Sequence, residues 1–110
     1  MSASEIEKKL KALDASYRNK IVAIYLKEGA KSLKALHTSF SKKDFKNIAS
    51  YAHKLKGSSK TIGFIGMSKI CEKIESKARV SRDTQMASNV KQADAYMQLV
   101  KKISSTKFKI

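Results

Sequence analysis

Apolar residues recur every three or four positions along most of the chain, with polar residues between them. This spacing is typical of amphipathic helices that bury one face. No segment alternates between apolar and polar residues for long enough to predict a strand. The pattern therefore predicts an all-α fold. It is clearest near the carboxyl end, where the apolar positions are Met86, Val90, Ala93, Met97, Val100 and Ile103.

Five helices are predicted from these stripes and from residues that begin or end helices. Ser4 and Glu7 form a capping-box pattern that opens a short first helix, which ends near Leu13. A second helix is predicted from about Ser16 to Ser39. Its buried stripe is expected to contain Tyr17, Ile21, Ile24, Leu33, Leu36 and Phe40.

The third helix is expected to be capped by Ser41, with Asp44 in its first turn, where the helix dipole favours negative charge. It is predicted to end at Gly63. The third and fourth helices carry apolar stripes that consist of Phe45, Ile48, Ala49, Ala52, Leu55 and Ile62, and of Phe64, Met67, Ile70, Cys71, Ile74 and Ala78.

A connection is predicted over residues 80–84, with Ser81 or Asp83 as the cap of the fifth helix, and residues 104–110 are expected to fray. The chain has 110 residues, no proline and four glycines, so long helices are not interrupted. Four long helices with short connections predict an antiparallel up-and-down four-helix bundle over about residues 14–104. The short first helix would act as a lid on one single domain, 1–110.

Composition excludes several classes of protein. No apolar run approaches the ~20 residues that span a bilayer, and no secretory signal is present. A single cysteine, Cys71, cannot form an intrachain disulfide, and two histidines with one cysteine do not make a zinc site of usual spacing. We therefore expect a soluble cytoplasmic protein, with nuclear entry open to it if the source is a eukaryote. No metal site and no large exposed apolar face are expected, and the latter favours a monomer.

The formal charge is +15, and 21 of the 24 basic residues are lysines. Lysine lacks the planar fork with which arginine reads base edges, so this excess fits non-specific attraction to an acidic partner, or simply a solvated surface. Residues 42–60 carry six lysines and one aspartate. An acidic face of a receiver protein, a nucleic acid or a membrane would match that segment. A basic helical nucleic-acid-binding protein is therefore the alternative function, although the scarcity of arginine disfavours it.

His53 lies in this basic segment. On a helical wheel it falls roughly 120° from the centre of the apolar stripe, in line with Lys46, Ser50, Gly57 and Lys60, so exposure is predicted. Surrounding positive charge favours the neutral imidazole, which is nucleophilic. Gly57, at i+4, costs the helix about 1 kcal/mol relative to alanine. The missing side chain opens an approach to the imidazole. Spacing alone does not distinguish this site from an ordinary surface histidine.

Residues 52–63, AHKLKGSSKTIG, resemble the central motif of histidine-containing phosphotransfer (HPt) domains. The similarity continues through Met67, Cys71, Ile74 and Glu75, and it covers residues 51–79 closely and the preceding helix loosely. Met67 stands where the family usually has leucine, and the lysine density is unusual.

The resemblance implies a phosphocarrier of a multistep His-Asp phosphorelay rather than an enzyme with its own turnover. His53 would accept a phosphoryl group from the aspartyl phosphate of one receiver domain and pass it to another. Lys56 would contact the phosphoryl oxygens, and Gly57 would allow close docking. The expected partners are response-regulator receivers and a hybrid sensor histidine kinase, with Mg²⁺ supplied by the receiver and no intrinsic cofactor. Partner-docking residues would be Lys46, Ser50, Lys54, Lys60 and Arg79.

Other chemical motifs are interpreted as structural. Residues 57–61, GSSKT, lack the glycine before Lys-Thr that a P-loop requires. His37 is expected to be a surface histidine, and Cys71 has the spacing of a core residue. Glu72 and Glu75 lie among lysines, which favours ion pairs on a helix surface over a catalytic pair of carboxylates.

Overall fold

The structure is a computed structural model that describes residues 2–81 and 84–110. It contains five helices and, within those residues, no strand, so the predicted all-α class is confirmed. The helices are α1 (Ser2–Ala12), α2 (Ala15–Ser41), α3 (Phe45–Ile62), α4 (Ile65–Arg79) and α5 (Met86–Phe108).

Aspartates rather than serines cap the two helices that follow short turns. Asp14 caps α2 and accepts a hydrogen bond from the backbone N–H of Tyr17, and the helix begins at Ala15, one residue before the expected start at about Ser16. Asp44 caps α3 and accepts from Asn47, whereas Ser41 is the last residue of α2. In each turn the carboxylate stands where it reaches a free N–H of the first turn.

The expected caps at the two chain ends were also wrong. The first helix begins at Ser2, which places Ser4 inside it rather than at a capping box. Gln85 holds the N-cap position of α5 without a side-chain hydrogen bond. Ser81 therefore does not cap this helix, and Asp83 lies outside the described residues.

Helix α5 continues beyond Ile103 to Phe108, so the expected fraying of residues 104–108 was wrong. The reason is packing, because Ser104 is fully buried and the guanidinium of Arg18 lies 4.5 Å from the centre of the Phe108 ring. A cation over an aromatic face anchors the end of the helix. Helix α3, in contrast, ends as predicted at Gly63, whose φ of 95° is the left-handed conformation that glycine adopts easily.

The helices pack around one core in which α3 contacts α2 and α4, α4 contacts α5, and α5 contacts both α2 and α1. The stripes predicted on α4 and α5 face this core. The stripe on α2 was wrong at Tyr17 and Ile24, which are 54% and 62% exposed, since Val22 and Tyr25 are buried instead. Tyr25 selects that register, because its hydroxyl bonds to Ser59 Oγ at 2.8 Å and its ring packs edge-on against Phe64.

Helix α1 is fastened to the bundle through Glu5. Its carboxylate accepts a hydrogen bond from the backbone N–H of Gly66 at the start of α4, and another from the hydroxyl of Tyr96 on α5. Burial and this carboxylate both raise the pKa of Tyr96, so the phenol stays a donor. Ile6 and Leu10 are fully buried beside this contact.

None of the helices in the described part of the chain is both long enough and apolar enough to cross a bilayer.

Gly66 and Gly57 offer a matched pair of glycine substitutions. An added Cβ at Gly66 would lie 2.8 Å from the Tyr96 ring and 3.2 Å from the Glu5 carboxylate, whereas at Gly57 it would meet nothing within 4 Å. We expect Gly66→Ala to lower the free energy of unfolding by about 1–3 kcal/mol through overpacking. Gly57→Ala should raise it by about 0.5–1 kcal/mol because alanine is the better helix former. Urea unfolding measures both, and equal effects would contradict the packing described for α1.

Candidate functional site

His53 lies on the solvent-facing side of α3, and its side chain is 66% exposed. This agrees with its predicted position on the helical wheel. Lys46, Ser50, Gly57 and Lys60 are exposed along the same side of the helix. The imidazole is therefore accessible to a second protein without any rearrangement of α3.

A buried carboxylate from the neighbouring helix holds the imidazole. Glu75 on α4 is only 7% exposed, and its Oε2 lies 3.0 Å from His53 Nδ1. The same oxygen accepts a hydrogen bond from the Arg79 guanidinium at 2.6 Å, one helical turn further along α4. Oε1 accepts from Lys56 Nζ at 2.8 Å. Glu75 therefore gathers three nitrogen donors, two from α3 and one from α4.

These contacts determine the charge of Glu75. Burial alone would raise the pKa of its carboxyl, but hydrogen bonds from Lys56, Arg79 and His53, with the charge of Lys56, outweigh burial and lower the pKa to about 2. The carboxylate is consequently ionised at neutral pH. A buried charge is tolerated here because hydrogen bonds and opposite charges surround it.

An ionised Glu75 also determines which imidazole nitrogen carries the proton. A carboxylate only accepts hydrogen bonds, so Nδ1 must be the donor in this contact. In the neutral ring the proton is then on Nδ1, and Nε2 keeps its lone pair. Within residues 2–81 and 84–110, Nε2 makes no hydrogen bond. In this tautomer the site presents an oriented Nε2 lone pair to solvent.

The burial of Glu75 corrects the sequence-based interpretation of that residue as part of a surface ion pair. Glu72 lies on the outer face of α4 and is exposed as expected. The signal that places Glu75 inside was present in the sequence. Glu75 lies four residues after Cys71 and three before Ala78, both on the buried stripe of α4.

Lys56, which was predicted to contact the phosphoryl oxygens, is 28% exposed and forms an ion pair with Glu75.

A shallow groove of about 500 Å³ begins at His53 and runs between α3 and the end of α4. Three of the residues predicted to dock a partner, Lys46, Ser50 and Arg79, line it. Lys54 and Lys60 are exposed on α3 but lie outside the groove. The groove also has an apolar wall, which the sequence did not suggest, made of Phe45, Ala49 and Ala78.

The remaining chemical candidates are structural. Cys71 is fully buried, and burial raises the pKa of its thiol to about 12. The Nε2 atom of His37 lies 2.8 and 2.9 Å from the two carboxylate oxygens of Asp94, in an exposed contact between α2 and α5. Residues 57–61 form the last turns of α3 rather than a loop after a strand. No three His, Cys, Asp or Glu side chains of the described residues are grouped as a metal site requires.

Comparison with protein families gives one match. The model described as "Hpt domain" matches residues 20–106, a range that contains every residue of the His53 site and leaves α1 outside. A search of curated proteins returned no match. A search of solved structures also returned none.

The low pKa of Glu75 predicts a specific loss of stability in acid. The carboxyl binds its proton less readily when folded than at its ordinary pKa of 4.5. Ionised Glu75 therefore contributes about 3 kcal/mol to the free energy of unfolding above about pH 4.5. This contribution is lost as the pH falls toward 2. Urea unfolding between pH 6 and pH 2 should show a shallower pH dependence in Glu75→Gln than in the wild type. Glu72→Gln on the same helix should match the wild type, and equal slopes in both variants would contradict the site.

Proposed function

Because the chain belongs to the Hpt domain family, we propose that His53 is its phosphorylated residue. Hpt domains are phosphocarriers that function in histidine phosphotransfer within phosphorelays. The observation that carries the assignment is the contact of His53 Nδ1 with the buried Glu75 carboxylate, because in the neutral ring it places the proton on Nδ1 and leaves the lone pair on the exposed Nε2. His37, the other histidine, has its Nε2 occupied by Asp94.

The reaction begins with in-line attack of the Nε2 lone pair on the phosphorus of a receiver's aspartyl phosphate. A nitrogen–phosphorus bond forms while the acyl phosphate bond breaks, and its electron pair leaves with the aspartate carboxylate. The proton stays on Nδ1, so the ring becomes cationic. The second transfer, to another receiver aspartate, reverses these steps.

Glu75 offsets the positive charge that the imidazole acquires. The carboxylate is already ionised and 3.0 Å from Nδ1, so it stabilises the phosphorylated ring without reorganising. Lys56 and Arg79 are held at the same carboxylate, and in this proposal they bind the phosphoryl oxygens. Each ammonium or guanidinium has further N–H donors with which to bind those oxygens. Mg²⁺ would come from the receiver.

Receiver domains are the partners that the family implies, and we propose that they dock over His53 and its groove, together with Lys54 and Lys60. Positive charge along α3 speeds encounter with an acidic receiver pocket, and this attraction weakens with salt.

A hybrid sensor histidine kinase would supply the phosphoryl group. The chain would act as a monomer and as one cytoplasmic unit with no turnover of its own. The packing order of α2, α3, α4 and α5 supports an antiparallel four-helix arrangement.

Phosphotransfer from a labelled receiver tests the assignment. In the presence of Mg²⁺ and a phosphorylated receiver domain, the wild-type chain should gain an acid-labile label, because nitrogen-linked phosphate hydrolyses in acid. His53→Gln should abolish this label. His37→Gln is the matched control and should retain it. Labelling of both variants to the same level would show that another residue accepts the phosphoryl group.

Gly57 provides a test of access to the imidazole. An added Cβ there meets nothing within 4 Å, and Gly57 lies on the exposed side of α3, so the helix should remain intact. A leucine one turn from His53 would nevertheless stand between the ring and a docked receiver. We expect Gly57→Leu to slow transfer at least tenfold while the far-ultraviolet circular dichroism and unfolding free energy are maintained. Thr61→Leu, one turn further along α3, should transfer at nearly the wild-type rate, and an unaffected Gly57→Leu would refute the steric role.

A further inference from the structure

A second groove lies on the other flank of α3 and is lined mainly by basic and polar residues. It has a volume of about 490 Å³ and lies between the end of α2 and the start of α3. Its lining includes Lys31, Lys34 and Lys42, together with Asp44, Asn47 and Tyr51. Tyr51 and His53 are two residues apart on α3, which places them ~160° apart around the helix. Occupation of this groove would therefore leave His53 accessible.

The acidic side chains near the groove are already engaged. Asp44 accepts hydrogen bonds from the backbone and side chain of Asn47. Glu28 forms an ion pair with Lys31 at 3.5 Å, with both groups exposed. Lys34 and Lys42 form no side-chain ion pair with any residue in the described ranges. Two lysines of the groove thus form no ion pair with the described residues, and a third has only a weak surface pair, so their positive charge exceeds the single negative charge of Asp44 in the lining.

The backbone that carries these lysines is held in place. The N–H of Lys42 donates to Thr38 O at 3.2 Å, and the N–H of Asp44 donates to Ser39 O at 2.9 Å. This tight turn joins two long helices that pack on each other. The backbone from which these lysines extend is therefore set before any partner arrives, so binding needs to order only their side chains.

We propose that this groove binds a short acidic segment of a partner protein. Lys31 on α2 and Lys42, the residue that caps the carboxyl end of this helix, are eleven residues apart, about 16 Å along the helix axis. An extended chain at ~3.3 Å per residue covers this length with about five residues. Each carboxylate on such a segment would form an ion pair with one lysine. This arrangement suits the ammonium group, which is a compact single charge.

Duplex nucleic acid and membrane surfaces fit the groove less well. It contains no arginine, the residue that grips phosphates and base edges with two bonds. Its lining has no exposed large aliphatic side chain that would enter a bilayer interface. An acidic polypeptide is thus the partner whose charge matches the groove.

Binding of a fluorescently labelled peptide with six consecutive glutamates, measured by anisotropy at 50 mM salt, tests this proposal. We expect saturable binding that weakens at 300 mM salt. Reversal of the groove charges with Lys31→Glu, Lys34→Glu and Lys42→Glu together should weaken binding at least tenfold. The matched control reverses three exposed lysines elsewhere, Lys69→Glu, Lys73→Glu and Lys101→Glu, and should weaken binding less than threefold. If the groove variant does not give the wild-type helical circular dichroism, glutamines at the same three positions replace the glutamates.

Three results would overturn the proposal. No saturable binding of the peptide would do so, and so would an equal loss in the groove and control variants, because net charge alone would then explain the affinity. Tighter binding of a 20-base-pair duplex or of phosphatidylserine vesicles, with the same dependence on the three groove lysines, would identify a different class of partner. None of these measurements uses phosphotransfer, so their failure leaves the role of His53 unaffected.

Discussion

The contact between the Glu75 carboxylate and its three nitrogen donors is the interaction on which the site depends. A carboxylate that is 7% exposed would be very unfavourable without partners, and its partners come from both α3 and α4. The charge therefore fixes the relative position of the two helices along their axes. A shift of one turn would separate Lys56 and His53 from the acceptor. The contacts of Glu75 that orient the imidazole are consequently the same contacts that align α3 with α4.

The helix class and the core faces of α4 and α5 follow from the sequence because each has one clear apolar stripe. Helix α2 has two, since Ile21 and Ile24 compete with Val22 and Tyr25. The choice between them depends on Ser59 and Phe64, which are far away in sequence. Local periodicity carries no information about such partners. The same reason explains the cap error at α3, because Ser41 and Asp44 are both good caps and only the path of the chain decides between them.

The exposure of His53 was predictable from the helical wheel, but the buried carboxylate that orients its imidazole was not. The sequence drew attention to the lysines because they are numerous, whereas the decisive group is one carboxylate. Glu75 stands among Lys73, Lys77 and Arg79, so its charge looks balanced within its own helix. Only the packing of α3 against α4 shows that it turns inward and that Lys56 and His53 bond to it. The lysine excess itself divides in space, with one part beside His53 and another between α2 and α3.

Cys71 has a practical consequence that follows from its burial. It is the single thiol of the chain, it is fully enclosed, and its deprotonation is disfavoured, so the native fold shields it from alkylating reagents. Modification must then wait for an opening of the core. Cys71 lies one turn before Glu75 on α4. The rate at which a maleimide reacts with Cys71 therefore measures how often α4 separates from the helices packed against it. The native thiol thus reports local opening of the core without any engineered label.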